Sequence, residues 1–210
     1  AGSSCALGIP NVEQLTTQIE TKLTHDFLKN FQLVKADLET IVKTRKVNIE
    51  DILNQIRRIR ELTGESAKAY EGVSGINAKL LDKEICKIIY DIIADKEASA
   101  DIEITKKFFA WLSLLNRDFS KEVFTTNYDL IIEKSLEASQ IPYFDGFVGS
   151  YEPFFWQESI DQFVSRSDLT QNWIRLWKIH GSLSWFWKID KKTNAQKIIR
   201  IGKIENIDDD

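Results

Sequence analysis

The chain has 210 residues, 43% of them hydrophobic and 29% charged, with a formal net charge of −4 and a pI near 5.4. That is enough chain to bury one core, and the acidic balance excludes a surface built to grip nucleic-acid phosphates, which rests on clustered Lys and Arg. The longest apolar stretch, Phe108–Leu115, is too short to cross a bilayer, and Cys5 and Cys86 form no C-x-x-C pair, which excludes a four-thiolate zinc site.

In chain order, the first eleven residues, Ala1-Gly2-Ser3-Ser4-Cys5-Ala6-Leu7-Gly8-Ile9-Pro10-Asn11, are small and glycine-containing. They read as a loop whose amide groups can approach a phosphate, because Gly2 and Gly8 carry no Cβ. An ordinary turn is the competing reading, since the strand that precedes such a loop is not in this sequence.

From about residue 12 to 116 apolar residues recur at helical spacing. Ile49, Ile52, Leu53, Ile56 and Ile59 form one such face, and Ile85, Ile88, Ile89, Ile92 and Ile93 another. Asn48 reads as an N-cap with Asp51 three residues on in a box-like position, while Arg57, Arg58, Arg60 and Glu61 read as a solvated face. Gly64 and the stretch Glu71-Gly72-Val73-Ser74-Gly75 mark a loop between helices, either a connector or a hinge.

The remainder, about 117–210, reads as strands and loops. Glu122-Val123-Phe124-Thr125-Thr126 and Arg175-Leu176-Trp177-Lys178-Ile179 both read as strands, followed by Asn127 with Asp129 and by His180. In open α/β sheets ligands sit where strands finish, so these polar residues are the candidate site. Leu130, Ile131, Lys134, Ser135 and Leu136 predict a helix that has Asp129 near its start and is stopped by Pro142. The aromatic, glycine-containing region 144–156 reads as a loop that could cover a ligand.

Trp177, Ile179, Leu183 and Trp185 alternate in strand fashion, which predicts core packing; stacking on a ligand ring is the other reading. Lys191-Lys192-Thr193-Asn194 reads as a hairpin turn between strands 185–189 and 197–201. Asp208-Asp209-Asp210 reads as a solvated end. His180 is a candidate general base, with a hydrogen-bonded core histidine as the competing reading. His25 lies in the polar run Thr24-His25-Asp26 and is a poor candidate. A mixed site from Cys5, Cys86, His25 and His180 has no metal-site spacing, and no metal is expected.

Together these segments resemble the sirtuin family, with its G-A-G-x-S-x-x-x-G-I-P-D-F-R, T-Q-N-I-D and H-G motifs. Ala1, Gly2, Ser4, Gly8, Ile9 and Pro10 match the first motif, Thr125, Asn127 and Asp129 the second, and His180 with Gly181 the third. Asn11-Val12-Glu13, Thr126 and Tyr128 depart from it. A closer resemblance is to the sirtuin-like domains of bacterial anti-phage defence proteins. Their motifs T-T-N-Y-D-x-x-I/L-E and K-L/I-H-G-S-L/I-x-W read here as residues 125–133, from Thr125 to Glu133, and 178–185, from Lys178 to Trp185.

The resemblance implies a Rossmann-like α/β parallel sheet of the sirtuin type, with a large helical insertion and no zinc module. It implies one catalytic domain over residues 1–210, expected to be incomplete at both ends. It also implies an NAD⁺ glycohydrolase with NAD⁺ as substrate, His180 as general base and Asn127 holding the attacking water or a ribose hydroxyl. Asp129 would accept hydrogen bonds from the nicotinamide carboxamide, and Ala1, Gly2, Ser3 and Ser4 would line the pyrophosphate. Relatives of this kind act as homo-oligomers or with a fused or associated sensor protein, so such a partner is expected, in the cytoplasm, with no nucleic acid or membrane. A protein deacylase or ADP-ribosyltransferase, a non-catalytic NAD or ADP-ribose sensor, and a helical interaction module stay open as alternatives.

Overall fold

The computed structural model describes residues 2–116, 120–158, 173–190 and 193–201. The chain divides into two compact units, Ala1–Ser99 and Ala100–Asp210.

The first unit is helical: α1 (Gly2–Cys5), α2 (Val12–Lys22), α3 (His25–Ile41), α4 (Ile49–Thr63) and α5 (Gly75–Ser99). Two asparagines start helices by the same device. Asn11 Oδ1 accepts from the Gln14 amide at 2.9 Å while Gln14 Oε1 accepts from the Asn11 amide at 3.0 Å. Asn48 Oδ1 accepts from Glu50 and Asp51 at 2.9 and 3.2 Å, and Asp51 Oδ2 returns the bond to the Asn48 amide at 3.0 Å. Each box satisfies amides that the first helical turn leaves bare. Arg45 grips Asp51 with both terminal nitrogens, at 2.6 and 2.7 Å, and that pairing holds the Asp51 carboxyl below the usual carboxylate range.

The predicted isoleucine faces meet in one core. Ile52, Ile56 and Ile59 from α4 and Ile85, Ile88 and Ile92 from α5 pack with Ile19, Phe31 and Val34. Burying each such side chain contributes about 1.5–3 kcal/mol. Arg60 departs from its expected place on a solvated face. It donates to Glu65 at 3.0 and 2.6 Å and to the buried Asp82 of α5, because a carboxylate taken out of water needs a cation beside it.

The stretch read as a connector or hinge is a hairpin of β1 (Ala69–Tyr70) and β2 (Val73–Ser74). Glu71 and Gly72 turn it at φ 48° and 81°, the pair of left-handed residues that a two-residue hairpin uses.

The second unit is mixed. After α6 (Glu103–Leu114), strands β3 (Lys121–Thr125), β4 (Tyr143–Phe144) and β7 (Ile174–Lys178) form a parallel sheet in the order β3-β7-β4, and α7 (Ile131–Ala138) crosses from β3 to β4. Phe109 of α6, Leu136 of α7, Ile141 and Ile174 make the core on one face of that sheet. A second, antiparallel sheet runs β5 (Phe147–Val148), β6 (Phe154–Phe155), β9 (Gln196–Arg200), β8 (Trp185–Ile189). A mixed α/β architecture with a small three-stranded parallel sheet is therefore present among the described residues.

Three expectations for the second unit are corrected. The helix after Asn127 is ended by its own C-cap, four residues ahead of Pro142. Gln140 sits at φ 54°, the Ile141 amide reaches back to the Leu136 carbonyl at 2.9 Å and the Gln140 amide to that of Glu137 at 3.0 Å, and Ile141 packs on Leu136. The aromatic region 144–156 carries three short strands rather than one open loop.

The third correction concerns strand phase. β7 stops at Lys178, and its buried residues are Ile174, Leu176 and Lys178, with Trp177 only half-buried and Ile179 63% exposed. The other phase is buried because an ion partner accepts the lysine. The β8–β9 hairpin forms as expected, pairing Ile189 with Gln196; of its turn, Lys191 and Lys192 lie outside the described residues.

Candidate functional site

Parallel pairing of β3 with β7 runs in unbroken register from Lys121 opposite Ile174 to Thr125 opposite Lys178. The ladder continues one bond further, from the Ile179 amide to the Thr125 carbonyl at 3.0 Å. Asn127 lies two residues beyond Thr125, and His180 two residues beyond Lys178. Their backbones therefore leave the same end of the sheet from adjacent strands at the same level, the place where α/β proteins hold ligands.

The two departing segments are tied to each other. The Leu183 amide donates to the Tyr128 carbonyl at 3.0 Å, and the Tyr128 and His180 rings meet edge to face with centroids 6.4 Å apart. Beyond His180 the chain turns at Gly181, where φ is 96° and an added Cβ would meet nothing within 4 Å. The backbone thus bends sharply and leaves open space beside an exposed imidazole. Asn127 is half-buried, its amide N–H donating to Thr125 Oγ1 at 3.1 Å.

Asp129 is 4% exposed. One carboxylate oxygen accepts from the Ile131 amide at 3.3 Å, placing negative charge at the start of α7, where the helix dipole favours it. Asn127, Asp129 and His180 are thus brought to one sheet end.

Behind them lies a pair that motif reading left without a role. Lys178 is the last residue of β7, with its side chain 1% exposed. Its ammonium donates to Glu133 Oε1 on α7 at 2.9 Å and also to the Asp129 carbonyl oxygen. Glu133 Oε2 is buried and finds no hydrogen-bond partner among the described residues. Burial pushes the Glu133 carboxyl up, and the neighbouring Lys178 charge opposes that only in part. Both residues stand in the motifs, Glu133 closing the one at 125–133 and Lys178 opening the one at 178–185, and Lys178 is a cation flanked in sequence by the apolar Trp177 and Ile179.

The glycine-containing N-terminus belongs to the first unit. Ala1 lies outside the described residues. Gly2, Ser3 and Ser4 form the single turn α1 in place of an open loop, with Ser4 buried, and the left-handed turn comes later, at Gly8 with φ 81°. The first unit also holds a cavity of about 770 Å³ lined by residues of α2, α3 and the segment after α3, among them Glu20, Lys35, Lys43 and Arg45. Two of its cations are engaged, Lys35 with Glu20 and Arg45 with Asp51.

Among the described residues no three His, Cys, Asp or Glu side chains gather as a metal would need, and no helix is long and apolar enough to cross a membrane. No curated protein matches the chain. Over residues 121–200, from the first residue of β3 to the last of β9 and so including Asn127, Asp129 and His180, the chain matches the family model of the SIR2-like domain, and that likeness implies NAD-related activity.

Proposed function

We propose that this protein hydrolyses NAD⁺ at the bond between nicotinamide and its ribose, giving nicotinamide and ADP-ribose. The observation that carries the reading is the register of β3 and β7, which sends a carboxamide and an imidazole from one sheet end within a SIR2-like segment.

The bond to be broken already bears a positive ring, so its electron pair leaves to a neutral nicotinamide and the sugar carbon takes up water. His180, an imidazole with one ring nitrogen able to accept, takes the proton of that water or polarises a ribose hydroxyl. Asn127 holds the same water or hydroxyl, since an amide donates and accepts at once. Asp129 receives the nicotinamide carboxamide, with its position fixed by the bond to the Ile131 amide. Open space beside Gly181 and the exposed imidazole fit a polar ribose.

The biological role proposed is depletion of NAD⁺ in a phage-infected bacterial cell, in the cytoplasm and as an oligomer or with a sensor protein. Its support is the likeness of residues 125–133 and 178–185 to the motifs of defence proteins. Reaction in ¹⁸O-labelled water tests the chemistry: ADP-ribose carrying one label at the former nicotinamide-bearing carbon supports hydrolysis. Product formed only when an acetylated peptide is added would overturn it in favour of deacylation.

A further inference from the structure

We infer that Lys178 is a positioning residue of this site, a buried cation that locks the Asn127 turn to the His180 strand. Its single ammonium bridges the Asp129 carbonyl and the Glu133 carboxylate, both contributed by the segment that follows β3, while its own backbone ends β7 two residues before His180. The inference rests on the NAD⁺-cleaving reading for its consequence on rate, but not for its geometry.

Three observations place Lys178 between the two halves of the site. β3 and β7 are held by backbone pairing only as far as Thr125 and Lys178, with one further bond at Ile179. Past that rung the Leu183 amide donates to the Tyr128 carbonyl, a backbone bond between the two departing segments. Lys178 supplies the side-chain link across the same gap, reaching to the carbonyl of Asp129 and on to the first turn of α7.

Burial makes the link strong and exacting. A 1% exposed ammonium has no water to fall back on, so both acceptors must stay in place for the lysine to remain charged inside. Glu133 is held through one oxygen by Lys178, while its other oxygen meets no partner. The carboxylate is thereby committed to a single cation rather than shared within a wider network. A rigid second layer of this sort is what keeps reacting groups within the fraction of an ångström that catalysis requires.

The role separates from mere stability in a double variant. Lys178→Met alone leaves Glu133 buried without its cation and is prone to misfold, whereas Lys178→Met with Glu133→Gln removes both charges together. The experiment measures amide hydrogen exchange and nicotinamide release from NAD⁺ in the wild-type protein and in this double variant.

We expect the double variant to fold, with β3 amides exchanging as in wild type and the Leu183 and Ile131 amides exchanging at least tenfold faster. We expect kcat to fall at least tenfold with KM changed less than threefold. Unchanged exchange at Leu183 and Ile131 would overturn the inference, as would a folded double variant with full kcat. A wild-type protein that releases no nicotinamide would overturn the hydrolase reading alone, and the exchange rates would still decide the role of Lys178.

Discussion

Thr125 and Lys178 are partners on the last full rung of the parallel β3–β7 ladder, so the chain segments that carry Asn127 and His180 leave the sheet level with each other. Thr125 is half-buried and Lys178 buried, and the two have different tasks. Thr125 Oγ1 accepts from the Asn127 amide N–H, and Lys178 turns inward to Asp129 and Glu133. Site geometry and local stability therefore share one rung.

Asn127→Ala removes a half-buried carboxamide two residues beyond the last paired residue of β3. NAD⁺ cleavage should fall at least about a hundredfold, the size of a lost positioning or electrostatic contribution, with far-UV circular dichroism unchanged. A fall of less than threefold in a folded protein would give Asn127 a structural role only.

Lys178→Met alone should destabilise the second unit by about 3–5 kcal/mol, the cost of leaving a buried carboxylate without its cation. Denaturant unfolding followed through the tryptophans, four of which lie between residues 173 and 187, measures this. The double variant with Glu133→Gln should recover most of that loss.

Stability should respond to pH with opposite signs at two carboxyls. Burial raises the Glu133 value, so its contribution is complete below the ordinary carboxyl range and is lost as pH rises through the raised value. Against wild type, Glu133→Gln should therefore gain in Tm as pH increases across that window. Arg45 lowers the Asp51 value, so that contribution is present above the ordinary range and lost as pH falls through the lowered one. Asp51→Asn should accordingly lag wild type at neutral pH and converge with it in acid.

Gly75 starts α5 against the end of α4, where an added Cβ would lie 2.1 Å from Thr63 Oγ1 and 2.8 Å from the Ser66 amide nitrogen. Gly75→Ala should cost about 1–3 kcal/mol through overpacking. Gly181→Ala meets open space and is penalised only by its φ of 96°, so it should lower Tm less than Gly75→Ala while slowing NAD⁺ cleavage by displacing His180. Thermal melts of the two variants side by side check the order.

Much of this arrangement is written locally in the chain. The isoleucine spacing in α4 and α5, the Asn48 box, both long strands and the β8–β9 hairpin follow from periods and caps that neighbouring residues determine. So does the placement of Asn127, Asp129 and His180 at strand ends.

What stayed hidden depends on partners far away in sequence. Lys178 occupies a core position because Glu133, 45 residues earlier, neutralises it, and no periodicity can show that; the alternation of Trp177, Ile179, Leu183 and Trp185 points to the other face. Arg60 looked solvated for the same reason, its partner Asp82 lying 22 residues on. Two-residue strands such as β4 to β6 are set by the sheets they join, not by their own propensity.

The most direct test of the central claim is nicotinamide release from NAD⁺ by the purified protein, followed chromatographically and compared with His180→Ala. The account predicts steady release by wild type and a fall of at least about a hundredfold in the folded variant. Equal rates in the two proteins, or no release by wild type, would contradict it.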